Sequence, residues 1–330
     1  MTPYNAPMTI LVTGAAGFIG YHVSHALLAR GARVIGVDNL NAYYNPALKQ
    51  ARLANLTSQK DFTFIETDIA DHVGLTDRLN SMKADQIIHL AAQAGVRYSL
   101  EKPFEYVSAN VAGHLSLMEL ARHWSVAHFV YASSSSVYGR NAKTPFAETD
   151  ATNRPASLYG ATKKADEVMT SAYAHLYQIP TTGLRFFTVY GPWGRPDMAY
   201  WIFTEKMLRG EPIEIFNHGE MARDFTYIAD IVDGVLGALG YPPGPQSDHH
   251  QIFNLGNDHP EPLMRLVTLL EEKLDLKADK RMRGMQKGDV AQTWADIAAA
   301  KGAFGYTPKV SLDEGLEHYV TWRKGLETGF

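Results

Sequence analysis

Cysteine is absent from the 330 residues. That absence removes disulfides, thiolate nucleophiles and cysteine-bound zinc from the chemistry open to the chain. No apolar run approaches the length of a membrane span. The stretch from Met1 to Met8 lacks a basic leader region, and the apolar run after it is broken by Gly14, Gly17 and Gly20. Charge of one sign is scarce as well: 31 Lys and Arg stand against 35 Asp and Glu, a net charge of -4. No polyphosphate-seeking surface is expected, so neither nucleic acid nor a membrane is an expected partner. The 13 histidines form no H-E-x-x-H pattern, and His249-His250 falls in a Pro/Gly/Asp-rich loop, so no metal is expected. With 45% hydrophobic residues there is enough apolar mass for one substantial core, or two sharing an interface. A cytoplasmic enzyme is the expectation.

Short runs rich in β-branched residues alternate with segments of helical spacing through the first half. They predict strands at 9–13, 33–38, 62–66, 85–90, 129–133 and 181–187. Such alternation predicts an α/β fold with a doubly wound parallel sheet, whose ligands lie at the carboxyl ends of the strands. After about Phe187 the pattern changes. Gly191-Pro192-Trp193-Gly194-Arg195-Pro196 is a breaker cluster, followed by shorter elements and a helical stretch near 261–274. A smaller C-terminal α/β substrate lobe is therefore predicted from 188–227 and 257–330, with 228–256 returning to the 1–187 domain.

Ile10-Leu11-Val12-Thr13 leads into Gly14-Ala15-Ala16-Gly17-Phe18-Ile19-Gly20 and then a helical stretch. A strand, a glycine turn and a helix start are the context of a Rossmann phosphate loop. Gly14 would make the turn, Gly17 would admit the pyrophosphate, and Gly20 would let the helix pack against the sheet. The next strand ends in Asp38, placed to bind the adenosine ribose. A carboxylate there repels a 2′-phosphate, and Asn39-Leu40 supplies no arginine to accept one. NAD is favoured over NADP.

Two further signals converge on that site. Tyr159 and Lys163 lie four apart in a segment that reads as a helix over 155–177, so they share a face. A strand over 129–133 runs into Ser133-Ser134-Ser135-Ser136-Val137-Tyr138-Gly139. A phenol titrates near 10, so a phenol acting as base near neutrality needs about 4 kcal/mol of stabilisation of its anion. A lysine ammonium and a nicotinamide cation together can supply it. A serine hydroxyl would bridge the substrate oxygen and the tyrosine. Strand alternation would put Ser134 and Ser136 on one side, Ser133 and Ser135 on the other.

The glycine loop, Asp38, Asp68-Ile69, His89-Leu90-Ala91-Ala92, the serine run, Tyr159-Gly160-Ala161-Thr162-Lys163 and Leu184-Arg185-Phe186-Phe187 resemble the extended short-chain dehydrogenase/reductases, from about residue 8 to 326. Within that superfamily the chain most resembles UDP-glucuronate 4-epimerases, through Val189 to Ala199 and Met285 to Val290; Lys287 stands where the family usually has proline. The resemblance implies that Tyr159 is the base, Lys163 its electrostatic partner and ribose ligand, and Ser134 the matching hydroxyl, with Ser136 able to share that role. It implies a cofactor pocket of Gly14, Gly17, Phe18, Ile19, Gly20, Asp38, Asn39, Asp68, Ile69, Leu90, Ala91, Ala92, Gln93, Asn110 and Phe186. It also implies a homodimer through helices near 103–124 and 156–177.

Neighbouring activities differ at the serine run. Related dehydratases carry an acid pair before V-Y-G and decarboxylases a glutamate, whereas Ser135 and Ser136 stand here. C4 epimerisation of a UDP-sugar through a transient 4-keto sugar is expected, with NAD regenerated in each turnover. A uronate must be held so that its carboxylate does not align with that ketone and leave as carbon dioxide. Thr188, Ser135 and Arg195, with Arg97 as a second cation, are the candidates. Arg195 has the alternative of pairing with Asp197, and Arg97 of being a surface charge. At the nucleotide end Arg223 would meet the diphosphate, Glu214 and Phe216 the uracil, and Asp289 the ribose. UDP-glucose/UDP-galactose epimerisation is the alternative activity. A non-catalytic NAD sensor of the same fold is the alternative class, though it would have no need of Tyr159 and Lys163.

Overall fold

The computed structural model describes residues 7–286 and 288–326. Met1 to Ala6, Lys287 and the last four residues, which the readings above touch, lie outside the described residues.

In chain order the strands are β1 (Thr9–Thr13), β2 (Arg33–Asp38), β3 (Phe62–Glu66), β4 (Gln86–His89), β5 (His128–Ser134), β6 (Thr181–Phe186), β7 (Thr188–Tyr190), β8 (Ile213–Ile215), β9 (Ala222–Tyr227), β10 (His250–Leu255), β11 (Pro260–Pro262) and β12 (Lys280–Met282). Seven of them form one sheet in the order β10-β6-β5-β4-β1-β2-β3, and every pairing in it is parallel. Chain order reverses between β1 and β4, so a crevice opens there at the strands' carboxyl ends. The predicted strands agree with the observed ones to within a residue or so at each end, where strands fray.

The central strands are buried on both faces, which is why stretches such as 10–12 and 129–131 read as apolar runs. Ile10, Val12, Ile88 and Val130 face Val23, Leu27, Ile231 and Val235 on one side. Leu11, Ile87 and Phe129 face Leu79, Leu117 and Trp124 on the other. A separate core joins Tyr200, Phe203, Leu266, Leu270, Leu316 and Tyr319 beside two small sheets, β11-β9-β7 and β12-β8. Each fully buried Leu or Phe stabilises its cluster by roughly 1.5–3 kcal/mol.

The helix predicted over 155–177 runs from Leu158 to Tyr177. Ser157 sets its start: the Ser157 Oγ accepts a hydrogen bond from Gly160 N at 3.1 Å, satisfying one of the first-turn donors. The segment expected as a helix near 103–124 is interrupted by a π-helical stretch, Val107–Ala112, before Gly113–Trp124 resumes the α-helix.

Candidate active site

At the crevice lies a cleft of about 870 Å³. It extends from the glycine loop, past the serine run and Tyr159, to Arg223 and Asp289. Every candidate catalytic, cofactor and substrate residue named from the sequence lines it except Asn110.

The cofactor end is made mainly of backbone. Gly14 takes φ +68°, and a Cβ on Gly20 would stand 2.0 Å from the Gly14 carbonyl oxygen. These glycines therefore create a bare cradle that opens onto the first turn of the helix Phe18–Ala29, whose start has no side-chain cap, so its first N–H groups are free to meet an anion. Asp38 is 7% exposed. Its carboxylate accepts from Leu40 N at 2.9 Å and Ala16 N at 3.2 Å, and meets Lys49 Nζ at 3.5 Å. Asp68 accepts from Asn39 Nδ2 at 3.0 Å, and with Ile69 it closes that end of the cleft. The cradle, the bare helix start and a carboxylate at the end of β2 fit a dinucleotide.

Asn110 differs from the expectation. It is fully buried; its Oδ1 accepts from Gln93 N at 2.8 Å, and its Nδ2 donates to the Gln93 carbonyl at 3.1 Å and to Thr162 Oγ1 at 3.0 Å. With its hydrogen-bonding groups spent on protein, it fixes the strand edge that a cofactor would touch. The π-helical stretch brings it there, a distortion that periodicity does not reveal.

The serines depart from strand alternation too. β5 ends at Ser134, and a 3₁₀ turn, Ser135–Tyr138, follows. Ser134 Oγ accepts from Ser136 N at 3.2 Å, so the side chain that was to bridge substrate also caps the turn. Ser133, which is 2% exposed, donates to Glu167 at 2.7 Å and is spent on structure. Ser135 and Ser136 remain on the cleft wall.

Tyr159 is 9% exposed and Lys163 is 1% exposed. Lys163 Nζ donates to Asp166 Oδ2 at 3.1 Å, one of the three donors an ammonium carries. Tyr106 meets the Tyr159 ring edge-on, with centroids 6.2 Å apart, and donates a short hydrogen bond to the Gly95 carbonyl. Phe186, Phe187 and Thr188 line the adjoining wall.

Beyond Tyr159 the arginines of the cleft are already paired. Arg195 grips Asp197 with two bonds of 3.0 and 2.5 Å, and Asp197 accepts a third from Tyr43 Oη at 2.9 Å. Burial works against the Asp197 charge, but Arg195 outweighs it and holds the carboxyl below its usual range. Asp289 lies 3.4 Å from Arg223 and 3.6 Å from Arg97, and Arg97 also stacks over the Phe216 ring at 5.1 Å. Glu214 pairs with Arg283 at 3.0 Å.

Lys49, Tyr43 and Asn41 line the cleft without having been singled out. A signal existed for Lys49. Lys49 and Arg52 sit at helical spacing among Leu48, Leu53 and Leu56, on the buried side of the helix Pro46–Thr57. Charges on an apolar stripe need partners. Arg52, fully buried, donates to the carbonyls of Ala16, Trp193 and Gly194 at 2.9, 2.7 and 2.7 Å. It thereby ties the glycine loop to the loop that carries Arg195.

Residues 10–256 match the NAD dependent epimerase/dehydratase family. UDP-glucuronate 4-epimerase 4 of Arabidopsis thaliana is 49% identical over 343 residues, covering 99% of this chain and 78% of that protein. Among solved structures, UDP-glucuronic acid 4-epimerase from Bacillus cereus, in complex with UDP-glucuronic acid and NAD, superposes with a TM-score of 0.87 at 36% identity, covering 96% of this chain and 99% of that one. The UDP-glucose 4-epimerase of Thermotoga maritima, with UDP-glucose, gives 0.86 at 34% identity, with coverage of 96% and 99%.

Proposed function

Since the chain belongs to the NAD dependent epimerase/dehydratase family, we propose that it interconverts UDP-glucuronic acid and UDP-galacturonic acid by inverting C4, with NAD as its held cofactor. The observation that carries this reading is one cleft in which a dinucleotide cradle, Tyr159 beside Lys163, and the paired arginines of the second lobe follow in sequence.

The glycine loop and Asp38 would hold NAD, Lys163 its nicotinamide ribose, and Phe186 the nicotinamide face. When bound, NAD supplies a hydride acceptor at C4 that gives the hydride back to the opposite face of the ring. Tyr159 takes the proton of the C4 hydroxyl and later returns it. Lys163 stabilises the phenolate between those events, and Ser134, with Ser136 beside it, orients the sugar oxygen. Arg223 and Arg97 would exchange Asp289 for the diphosphate, leaving Asp289 to the ribose, while Glu214 and Phe216 flank the base. Held by the diphosphate, the flat ring would turn over within the cleft.

A 4-keto uronate is a β-keto acid, so its carboxylate must be kept out of alignment with the ketone. Ser135, Thr188 and Arg195 are assigned that task. The bidentate grip of Arg195 on Asp197 is the observation that favours the alternative, a neutral UDP-glucose. Proton NMR of products from the two sugars in parallel separates them. Turnover of UDP-glucuronate at least ten-fold above UDP-glucose is expected, and the reverse order would transfer the assignment to the neutral sugar.

We place the chain in the cytoplasm; among the described residues no helix is long and apolar enough to cross a membrane. We assign 1–187 and 228–256 to the NAD-binding domain, and 188–227 and 257–330 to the nucleotide-sugar lobe. We also assign it a homodimer. Phe104, Leu176 and Val168 are 86%, 66% and 58% exposed on the two helical segments named for it, an apolar surface that association would cover. Sedimentation of the wild type and of Phe104→Glu tests this: a dimer that the charge dissociates is expected.

A further inference from the structure

The stripe that carries Tyr159 and Lys163 continues into the core. Positions 159, 163, 166 and 170 follow at spacings of four, three and four, so they share one face of the helix Leu158–Tyr177. Asp166 and Thr170 are completely buried. Thr170 Oγ1 donates to the Asp166 carbonyl at 2.8 Å, and His114 Nε2 meets the same hydroxyl at 2.7 Å. Behind them, the rings of Tyr131 and His89 each lie 5.2 Å from His114. His89 Nδ1 reaches Thr13 Oγ1 at 2.7 Å.

Four buried polar atoms of this cluster have no hydrogen-bond partner: Asp166 Oδ1, Tyr131 Oη, His114 Nδ1 and His89 Nε2. Burial drives His89 down to about 3 and His114 well below its ordinary value, so both rings are neutral near pH 7. Burial pushes Tyr131 well up. The adjacent acid, Glu167, is committed to Arg185 at 2.8 Å and Lys164 at 3.1 Å. Lys163 and Asp166 are therefore the charged pair of this compartment.

We propose that Asp166 is a positioning residue that sets how strongly Lys163 acts on the base Tyr159. The inference rests on Tyr159 being that base. Epimerisation returns the proton to the oxygen it came from, so a polar compartment behind Lys163 has no proton to carry to solvent. Its influence is electrostatic. The Asp166 carboxylate holds one ammonium donor in place and cancels part of the positive field at the phenol. An uncompensated ammonium would stabilise the phenolate so far that it became a poor base. Burial, opposed by Lys163, raises Asp166 to about 6, so the compensation fades in mildly acidic solution.

The test uses the NAD-loaded enzyme and UDP-glucuronate. Asp166→Asn keeps the shape and removes the charge. The acid limb of its kcat/KM profile is expected to move to lower pH by about half a unit to one unit. Asp166→Ser, smaller and neutral, must move it the same way, and serves where the amide does not fold. Phenolate absorbance reads the same quantity without turnover: the titration lost on adding Tyr159→Phe must begin at lower pH in the Asp166 variant than in the wild type. A limb and a titration that stay in place, or move to higher pH, overturn the proposal. Full turnover by Tyr159→Phe alone would instead overturn the assignment of the base.

Discussion

The two ends of the cleft are built from different material. At the cofactor end the surface is backbone and small side chains, and Asp38 is fixed by two amides and Lys49. At the substrate end it is long charged side chains, each resting on another: Arg195 on Asp197, Arg97 and Arg223 on Asp289. The first end is complete before a ligand arrives. On the proposed function the second would exchange protein partners for ligand oxygens, so its affinity would be a difference between two sets of ion pairs. On the same proposal, rigidity would hold the cofactor through many turnovers, and exchange would let the product leave.

That contrast can be broken from either side. Gly20→Ala places a methyl 2.0 Å from the Gly14 carbonyl oxygen. It is expected to cost about 3 kcal/mol or more and to abolish NAD binding, read by thermal melting and by NAD released on denaturation. At the other end, Arg195→Met should lower kcat/KM for UDP-glucuronate by about 100-fold and for UDP-glucose by less than ten-fold; equal losses would remove its carboxylate role. Arg223→Ala should weaken UDP binding about 30-fold while leaving bound NAD untouched, checked by calorimetry. Arg97, with its side chain 56% exposed, should matter least. Its change to Ala should raise KM about two- to five-fold, an effect that added salt shrinks.

The same contrast explains what the sequence disclosed. The glycine loop, Asp38 and the pair Tyr159/Lys163 are local patterns, set by strand, turn and helix periods, and the fold places them as their spacing required. The serine run misled because alternation stops where Ser134 caps the 3₁₀ turn. Asn110 misled because a π-helical stretch turns its amide onto Gln93. The pairing of Arg195 with Asp197 is local and legible, two positions apart, but the contacts that anchor it and Arg223 come from far along the chain: Tyr43 reaches Asp197 across 154 positions, and Asp289 lies 66 from Arg223. No local period records contacts of that kind.

The most direct test of the account is the fate of hydrogen at C4. With UDP-glucuronate and NAD-loaded enzyme in deuterium oxide, the account predicts UDP-galacturonate that carries protium at C4, because the hydride never leaves the cleft and only the hydroxyl proton meets Tyr159. Deuterium at C4, or no UDP-galacturonate at all, would contradict it.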